Sequence, residues 1–184
     1  MSHDCSFAMA FEVPARLLEQ AEQAREAVLN RIEAEHVRRA TVCVPIQFFQ
    51  NGSGDRESRL RGRLNTLRLN VDPFTVRARS FAHRQRCALV VELEGADEPV
   101  RRIQREMTRF CSRESFPQFP AYCPLLNFSY AQACGEALIA AADVQLSNEP
   151  HEVTNLLLLR NDKAGDWETC YRASLEKGLA LADA

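Results

Sequence analysis

Thr41-Val42-Cys43-Val44-Pro45-Ile46-Gln47-Phe48-Phe49 is the stretch on which the fold turns. Nine residues, mostly apolar and rich in β-branched and aromatic side chains, suit a buried strand better than a helix. The run ends at Asn51-Gly52-Ser53-Gly54, a turn by composition. Working outward, Phe7 to Val13 reads as an earlier strand, and Pro14 opens a helix, where its missing N–H costs nothing. That helix repeats Leu17, Leu18, Ala21, Ala24, Val28 and Ile32 at helical spacing, which predicts one buried stripe reaching about Glu35.

On the other side, a second helix is expected from about Asp55, with Leu60, Leu64 and Leu67 inward and arginines outward. Pro73 to Arg79 alternates like a half-exposed strand, and Cys87 to Leu93 reads as a buried one. A third helix starts at Gly95-Ala96-Asp97-Glu98-Pro99 and turns Val100, Ile103, Met107 and Phe110 to the core. After the loop Ser115 to Pro120 come the strand Tyr122 to Tyr130 and an Ala-rich helix, Ala131 to Ala142. Val153 to Leu159 and Thr169 to Ser174 close the chain as strands joined near Gly165. The order is α+β with two similar halves, a single bilobal domain over 1–184, its seam near 80–86 or 112–120.

With 184 residues, 46% hydrophobic and 26% charged, the chain can bury a core, and its balance disfavours disorder, collagen and coiled coil. Its longest apolar runs, such as Leu156 to Leu159, are far short of a membrane span. Seven cysteines without CxxC pairs, and no secretory signal, predict reduced thiols in a cytoplasmic setting. The four histidines are dispersed, so neither a metal nor a cofactor is expected. The net charge of −2 conceals a basic island: residues 36–113 carry 16 basic and 8 acidic groups, against 3 and 7 before them and 4 and 10 after. Nearly all the cations are arginine, whose planar fork suits phosphate and stacks on bases. RNA or a nucleotide is therefore a candidate partner, with Arg61, Arg63, Arg101 and Arg102 as candidate contacts, alongside a protein complex.

Several stretches, taken in order, resemble the 2H phosphoesterase superfamily, which includes the 2′-5′ RNA ligase-like and cyclic phosphodiesterase proteins. They are Phe11-Glu12-Val13-Pro14 before a helix, Val44-Pro45-Ile46-Gln47-Phe48-Phe49 before a Gly turn, Pro73-Phe74-Thr75-Val76, Leu89-Val90-Val91-Glu92-Leu93-Glu94-Gly95, and Val153 to Arg160. The resemblance spans about Phe7 to Leu175. It implies two pseudo-symmetric lobes, antiparallel sheets lining a central groove and helices outside. It also implies a metal-free mechanism in which a His-x-Thr/Ser motif on one strand of each lobe supplies a general base, a general acid and hydroxyls for the phosphate. Residues i and i+2 of a strand share a face, so both side chains of such a motif reach the groove.

At the first implied motif position this chain has Cys43-Val44-Pro45, and at the second Tyr122-Cys123-Pro124. No histidine lies between His83 and His151, and His36 is followed at i+2 by Arg38, so no shift of register restores either motif. General acid and base groups each supply about 10²- to 10⁴-fold. A phenol with a reference pKa of about 10 and a thiol of about 8.5 replace them poorly. Neither Pro45 nor Pro124 offers a hydroxyl or an N–H. Proline within a sheet is normally confined to edges, strand starts or bulges, and two at matching positions suggest a repacked groove. Simple alternation then predicts Gln47 and Phe49 facing Leu126 and Phe128 across a greasy cleft.

Other arrangements carry less. Cys43 with His36 or His83 would make a thiol nucleophile pair, but a cysteine in an apolar strand is ordinarily a small core residue. Asp162-Lys163-Ala164-Gly165-Asp166 fits no calcium loop. Among the aromatics, Phe48, Phe49, Phe128 and Tyr130 read as core, Phe116, Phe119 and Tyr122 as the groove mouth, and Trp167 as a packing or interface residue. The expectation is a catalytically inactive phosphoesterase-like protein retained to bind RNA or a nucleotide, or to assemble a complex. The alternative is an active, metal-independent phosphodiesterase acting on 2′,3′-cyclic nucleotides or 2′-5′-linked RNA through substituted groove residues.

Overall fold

A computed structural model describes residues 5–52, 54–84, 87–108, 121–161 and 167–176. The chain enters as β1 (Cys5–Phe11), and Pro14, held extended at φ −56° and ψ 145°, leads into α1 (Ala15–Leu29). Leu17, Ala21, Ala24 and Val28 form the buried stripe of α1, whereas Leu18 stays exposed one position off it. The helix ends at Leu29, six residues short of Glu35, and Ile32 reaches the core from the turn that follows. A 3₁₀ turn, Ala34–His36, then leads into β2 (Val37–Arg39).

β3 (Val44–Gly52) runs three residues past Phe49, so its turn is shorter than the glycines suggest, and α2 (Gly54–Leu67) follows at once. Next come β4 (Phe74–Arg84), β5 (Ala88–Glu94) and α3 (Asp97–Thr108). Gly95 joins β5 to α3 at φ +90°, and a Cβ there would meet the Thr75 carbonyl oxygen at 2.3 Å, so only glycine fits. β6 (Tyr122–Phe128), α4 (Ala131–Ala141), β7 (His151–Val153), β8 (Asn155–Asn161) and β9 (Trp167–Ser174) complete the described chain. The stretch near 80–86, read as a seam, begins inside β4; 112–120 lies outside the described residues.

The strands form two antiparallel sheets, ordered β3-β1-β8-β9 and β2-β6-β5-β4-β7. Helices cross between them. α1 leaves the first sheet to pack with α4 against the second, whereas α3 leaves the second sheet to pack against β3 of the first, beside α2. One continuous core holds both sheets, with Phe7, Phe11, Phe49, Leu64, Leu89 and Ile103 among its fully buried side chains. Each such side chain contributes about 1.5–3 kcal/mol relative to exposure. A second, smaller cluster (Ala8, Ala10, Cys43, Leu157 and Leu159) covers the opposite face of the first sheet, with Phe48 and Trp167 packed on it. That face looks into the groove. No helix among the described residues is long and apolar enough to cross a membrane.

Candidate functional site: a groove between two bulged strands

The groove is shaped by an extra residue in each of two strands. Along β1 and β3, Met9 pairs with Gln47 but Ala10 pairs with Pro45, so Ile46 is left without a partner in the ladder. Along β5 and β6, Leu89 pairs with Leu126 but Val90 pairs with Pro124, which leaves out Leu125. In both strands the bulged residue directly follows the proline, where the missing N–H disturbs the ladder least. Ile46 and Leu125 are each fully buried. Both carbonyls find donors outside their own sheet pairing: Gln104 Nε2 of α3 donates to Ile46 O at 2.8 Å, and the Ala40 amide donates to Leu125 O at 3.0 Å.

Each bulge reverses the side-chain alternation beyond it. Before the bulges, Cys43, Pro45, Tyr122 and Pro124 all line one cavity of about 400 Å³. Beyond them the cavity side passes to Phe48 and Asn127, three residues after each proline. Gln47, Phe49, Leu126 and Phe128, predicted from simple alternation to face the cleft, are instead buried away from it. The extra residue is the physical reason for that correction.

The cleft is also less greasy than expected, because Arg38 and Arg39 of β2 and Arg84 at the end of β4 stand along it. Arg84 is ion-paired with Glu92 of β5, both side chains largely covered. Arg39 reaches Glu26 of α1 at 2.7 Å. The side chain of Arg38, opposite Asn127 in the ladder, makes no hydrogen bond or ion pair among the described residues. The strand carrying both arginines is anchored from behind by Arg25. This buried guanidinium donates to Ala40 O at 2.6 Å and to Glu22 at 2.8 Å.

The protonation states follow from burial. The Cys43 thiol is pushed up to about 12 by loss of water, so at neutral pH it is neither thiolate nor nucleophile. Burial raises Tyr122 as well, with the neighbouring Cys43 adding to the rise and Arg84 opposing it. With its pKa raised, the phenol stays protonated at neutral pH and supplies almost no phenolate to act as a base. Cys123, behind the groove face, is raised well above the thiol range by the same desolvation. Among the described residues no imidazole lines the cavity. Among the described residues the arrangement therefore offers guanidinium groups to an anion.

The other sequence-named residues lie elsewhere. Arg61 is held by Glu57 and by the Cys170 carbonyl at 3.0 Å, beneath the Tyr171 ring. Arg63 sits on the outer face of α2, while Arg101 and Arg102 are exposed on α3; none reaches the groove. His36 lies 3.2 Å from Glu35 and edge-on to Tyr130, and His83 is exposed on β4, so neither joins Cys43 at the cavity. Glu33, Glu35 and His36 gather near the surface, outside the lining of the groove. Phe48 and Trp167 are groove residues, their rings 5.9 Å apart and tilted by 59°. Phe116, Phe119 and the stretch 162–166 lie outside the described residues.

No family model matches the sequence, and no curated protein matches it. Solved structures do share its fold. TT0787 of Thermus thermophilus superposes with a TM-score of 0.66 at 14% identity, over 92% of this chain and 97% of that one. E. coli LigT complexed with 3′-AMP superposes with a TM-score of 0.62 at 17% identity, over 96% of this chain and all of that one. A structure described as a phosphoesterase gives 0.59 at 15% identity, over 94% and 99% of the two chains. What is common at such identities is the path of the backbone, over nearly the full length of both chains.

Proposed function

We propose that this chain, which has the LigT-like 2H phosphoesterase fold, binds a nucleotide or RNA in its groove without hydrolysing it. The observation that carries this reading is the make-up of one cavity. Arg38, Arg39 and Arg84 stand along it, yet Cys43, Pro45, Tyr122 and Pro124 occupy the four positions where paired His-x-Thr/Ser residues are implied. Guanidinium forks bind phosphate oxygens well, and their charge does not titrate in any physiological range. Binding is thus retained by residue chemistry while proton transfer is not. E. coli LigT has been solved with 3′-AMP, ATP and NADP+, which supports nucleotides as the ligand class for this groove. The unpaired thiols Cys43, Cys87, Cys123, Cys134 and Cys170 suit a reducing, cytoplasmic compartment.

Incubation with nucleoside 2′,3′-cyclic phosphates and 2′-5′ oligoadenylate, with chelator present, tests the reading. Saturable binding without turnover is the expected result. Turnover that disappears in Tyr122→Phe would replace it with an active phosphodiesterase using the phenol as acid. Absence of any nucleotide binding would leave a protein-assembly role in its place.

A further inference from the structure

Strand β4 is longer than the strand paired along its outer side. It runs beside β5 from Arg77 to Arg84, but β7 meets it only at Phe74, Thr75 and Val76. The stretch Arg77–Arg84 thus has no strand on its other edge. Among the described residues no loop supplies backbone hydrogen bonds to Arg77–His83 in its place. The segment that connects α4 to β7 is held elsewhere, on or next to α1. Asp143 pairs with Arg31, the Ser147 amide donates to Gln20, and Glu149 pairs with Arg16. A strand from Arg77 to Arg84 spans about 26 Å. Proteins ordinarily shorten, cover or charge so long an open edge.

The two faces of this edge differ. On the core side stand Ala78, buried, and Phe81, half-buried against the main cluster. On the other face Arg77 lies opposite Glu94 and Ser80 opposite Glu92, with Arg79 as the extra residue of a bulge between Ala78 and Ser80. Arg79 borders a surface cavity with Glu92 and Glu94. The side chains of Arg77 and Arg79 are exposed and make no hydrogen bond or ion pair among the described residues. Opposite charges across a ladder attract and like charges repel. A second copy pairing antiparallel along this edge in full register would set arginine against arginine at both ends, whereas carboxylates would meet unneutralised cations.

We propose that the open edge of β4, Arg77–Arg84, takes an extended acidic segment of a partner protein as an added strand. Carboxylates of that segment lie against Arg77 and Arg79, and apolar side chains alternating with them cover Ala78 and Phe81. Backbone hydrogen bonds supply the affinity, and the partner's period of two matches the two faces of the edge. The proposal stands whether or not the groove holds a nucleotide.

The probe is a fluorescein-labelled decapeptide alternating glutamate with valine, titrated with the full chain and followed by anisotropy. Saturable binding is expected. It should be at least about tenfold weaker for the same peptide with lysine for glutamate, and for one with two consecutive prolines at its centre. Hydrogen exchange of the backbone over 77–84 should slow on binding, and that over α2 should not. Arg77→Glu combined with Arg79→Glu should invert the preference, so that the lysine peptide binds the more tightly; Arg102→Ala on α3 should change neither affinity. Should the double variant fail to fold, Arg77→Ala alone should weaken the glutamate peptide several-fold. Equal binding of the glutamate and lysine peptides, or binding undiminished by the prolines, overturns the proposal. So does no binding at all, which would leave the arginines as guards against strand pairing. Displacement of the glutamate peptide by decauridylate would assign the edge to RNA, and slow exchange over 77–84 in a peptide-free dimer would assign it to a second copy; either result overturns the proposal.

Discussion

Gln104 of α3 and Ile46 of β3, 58 residues apart, meet through a single buried hydrogen bond of 2.8 Å. Ile46 is the bulged residue that turns Phe48 toward the groove, so a helix belonging by sequence to the other half of the chain stabilises the bend that shapes the site. In the second strand the Ala40 amide serves Leu125 in the same way, and Arg25 in turn holds the Ala40 carbonyl. Two bulges are thus held by two buried polar side chains, one acting directly and the other through the backbone.

Gln104→Leu removes the donor and strands the Ile46 carbonyl in a dry interior. The expected loss is about 1–3 kcal/mol of unfolding free energy, read from the urea midpoint at unchanged slope. An unchanged midpoint would show that the bulge holds itself.

Arg25→Met keeps much of the side-chain volume but drops the hydrogen bonds to Ala40 and Glu22. Stability should fall by about 2 kcal/mol. Because Ala40 directly follows Arg38 and Arg39, the variant should also weaken nucleotide binding in the groove several-fold. A stability loss with ligand affinity untouched would separate Arg25 from the groove.

Gly95→Ala forces a Cβ against the Thr75 carbonyl at a positive φ, where both backbone and contact object. The cost should be about 1–3 kcal/mol or more, visible as a drop of several degrees in Tm. A variant as stable as the parent would mean that β4 and β5 yield at that junction.

Cys43 links stability to alkaline pH. Below its ordinary value of 9.0 both the folded and unfolded states keep the thiol proton, and the group contributes no pH dependence. Between about 9 and about 12 the unfolded chain ionises while the folded one cannot, so the unfolded state is favoured and stability falls as pH rises. Urea midpoints measured from pH 8 to 10.5 should decline less steeply in Cys43→Ala than in the parent. The native thiol should also resist iodoacetamide at pH 8, at which the denatured chain reacts.

Much of the fold was legible because apolar period and punctuation agree: Pro14 before α1, Gly95 before α3, and the apolar runs of β3, β5, β6 and β8 each point to one element. The paired prolines also pointed to the strands that line the groove. What sequence did not reveal was the bulge after each proline, since one added residue leaves composition unchanged while reversing every side chain beyond it. Gln47, Phe49, Leu126 and Phe128 were therefore assigned the wrong face, and Phe48 and Asn127 were missed. Arg38 and Arg39 escaped notice because β2 has only three residues, too few to show alternation, and Arg84 because β4 extends five residues beyond the alternating stretch. A proline two residues after a candidate groove position was the one available signal, through its preference for bulges.

The central strands of the first sheet, β1 and β8, come from opposite ends of the chain, Cys5–Phe11 and Asn155–Asn161. During synthesis β1 can pair with β3 along one edge, but its other edge stays open until residues 155–161 have been made. A nascent chain halted before residue 155 leaves the β1 backbone from Ser6 to Phe11 as an open edge, a template for aggregation. Closure of the first sheet thus waits for the synthesis of β8.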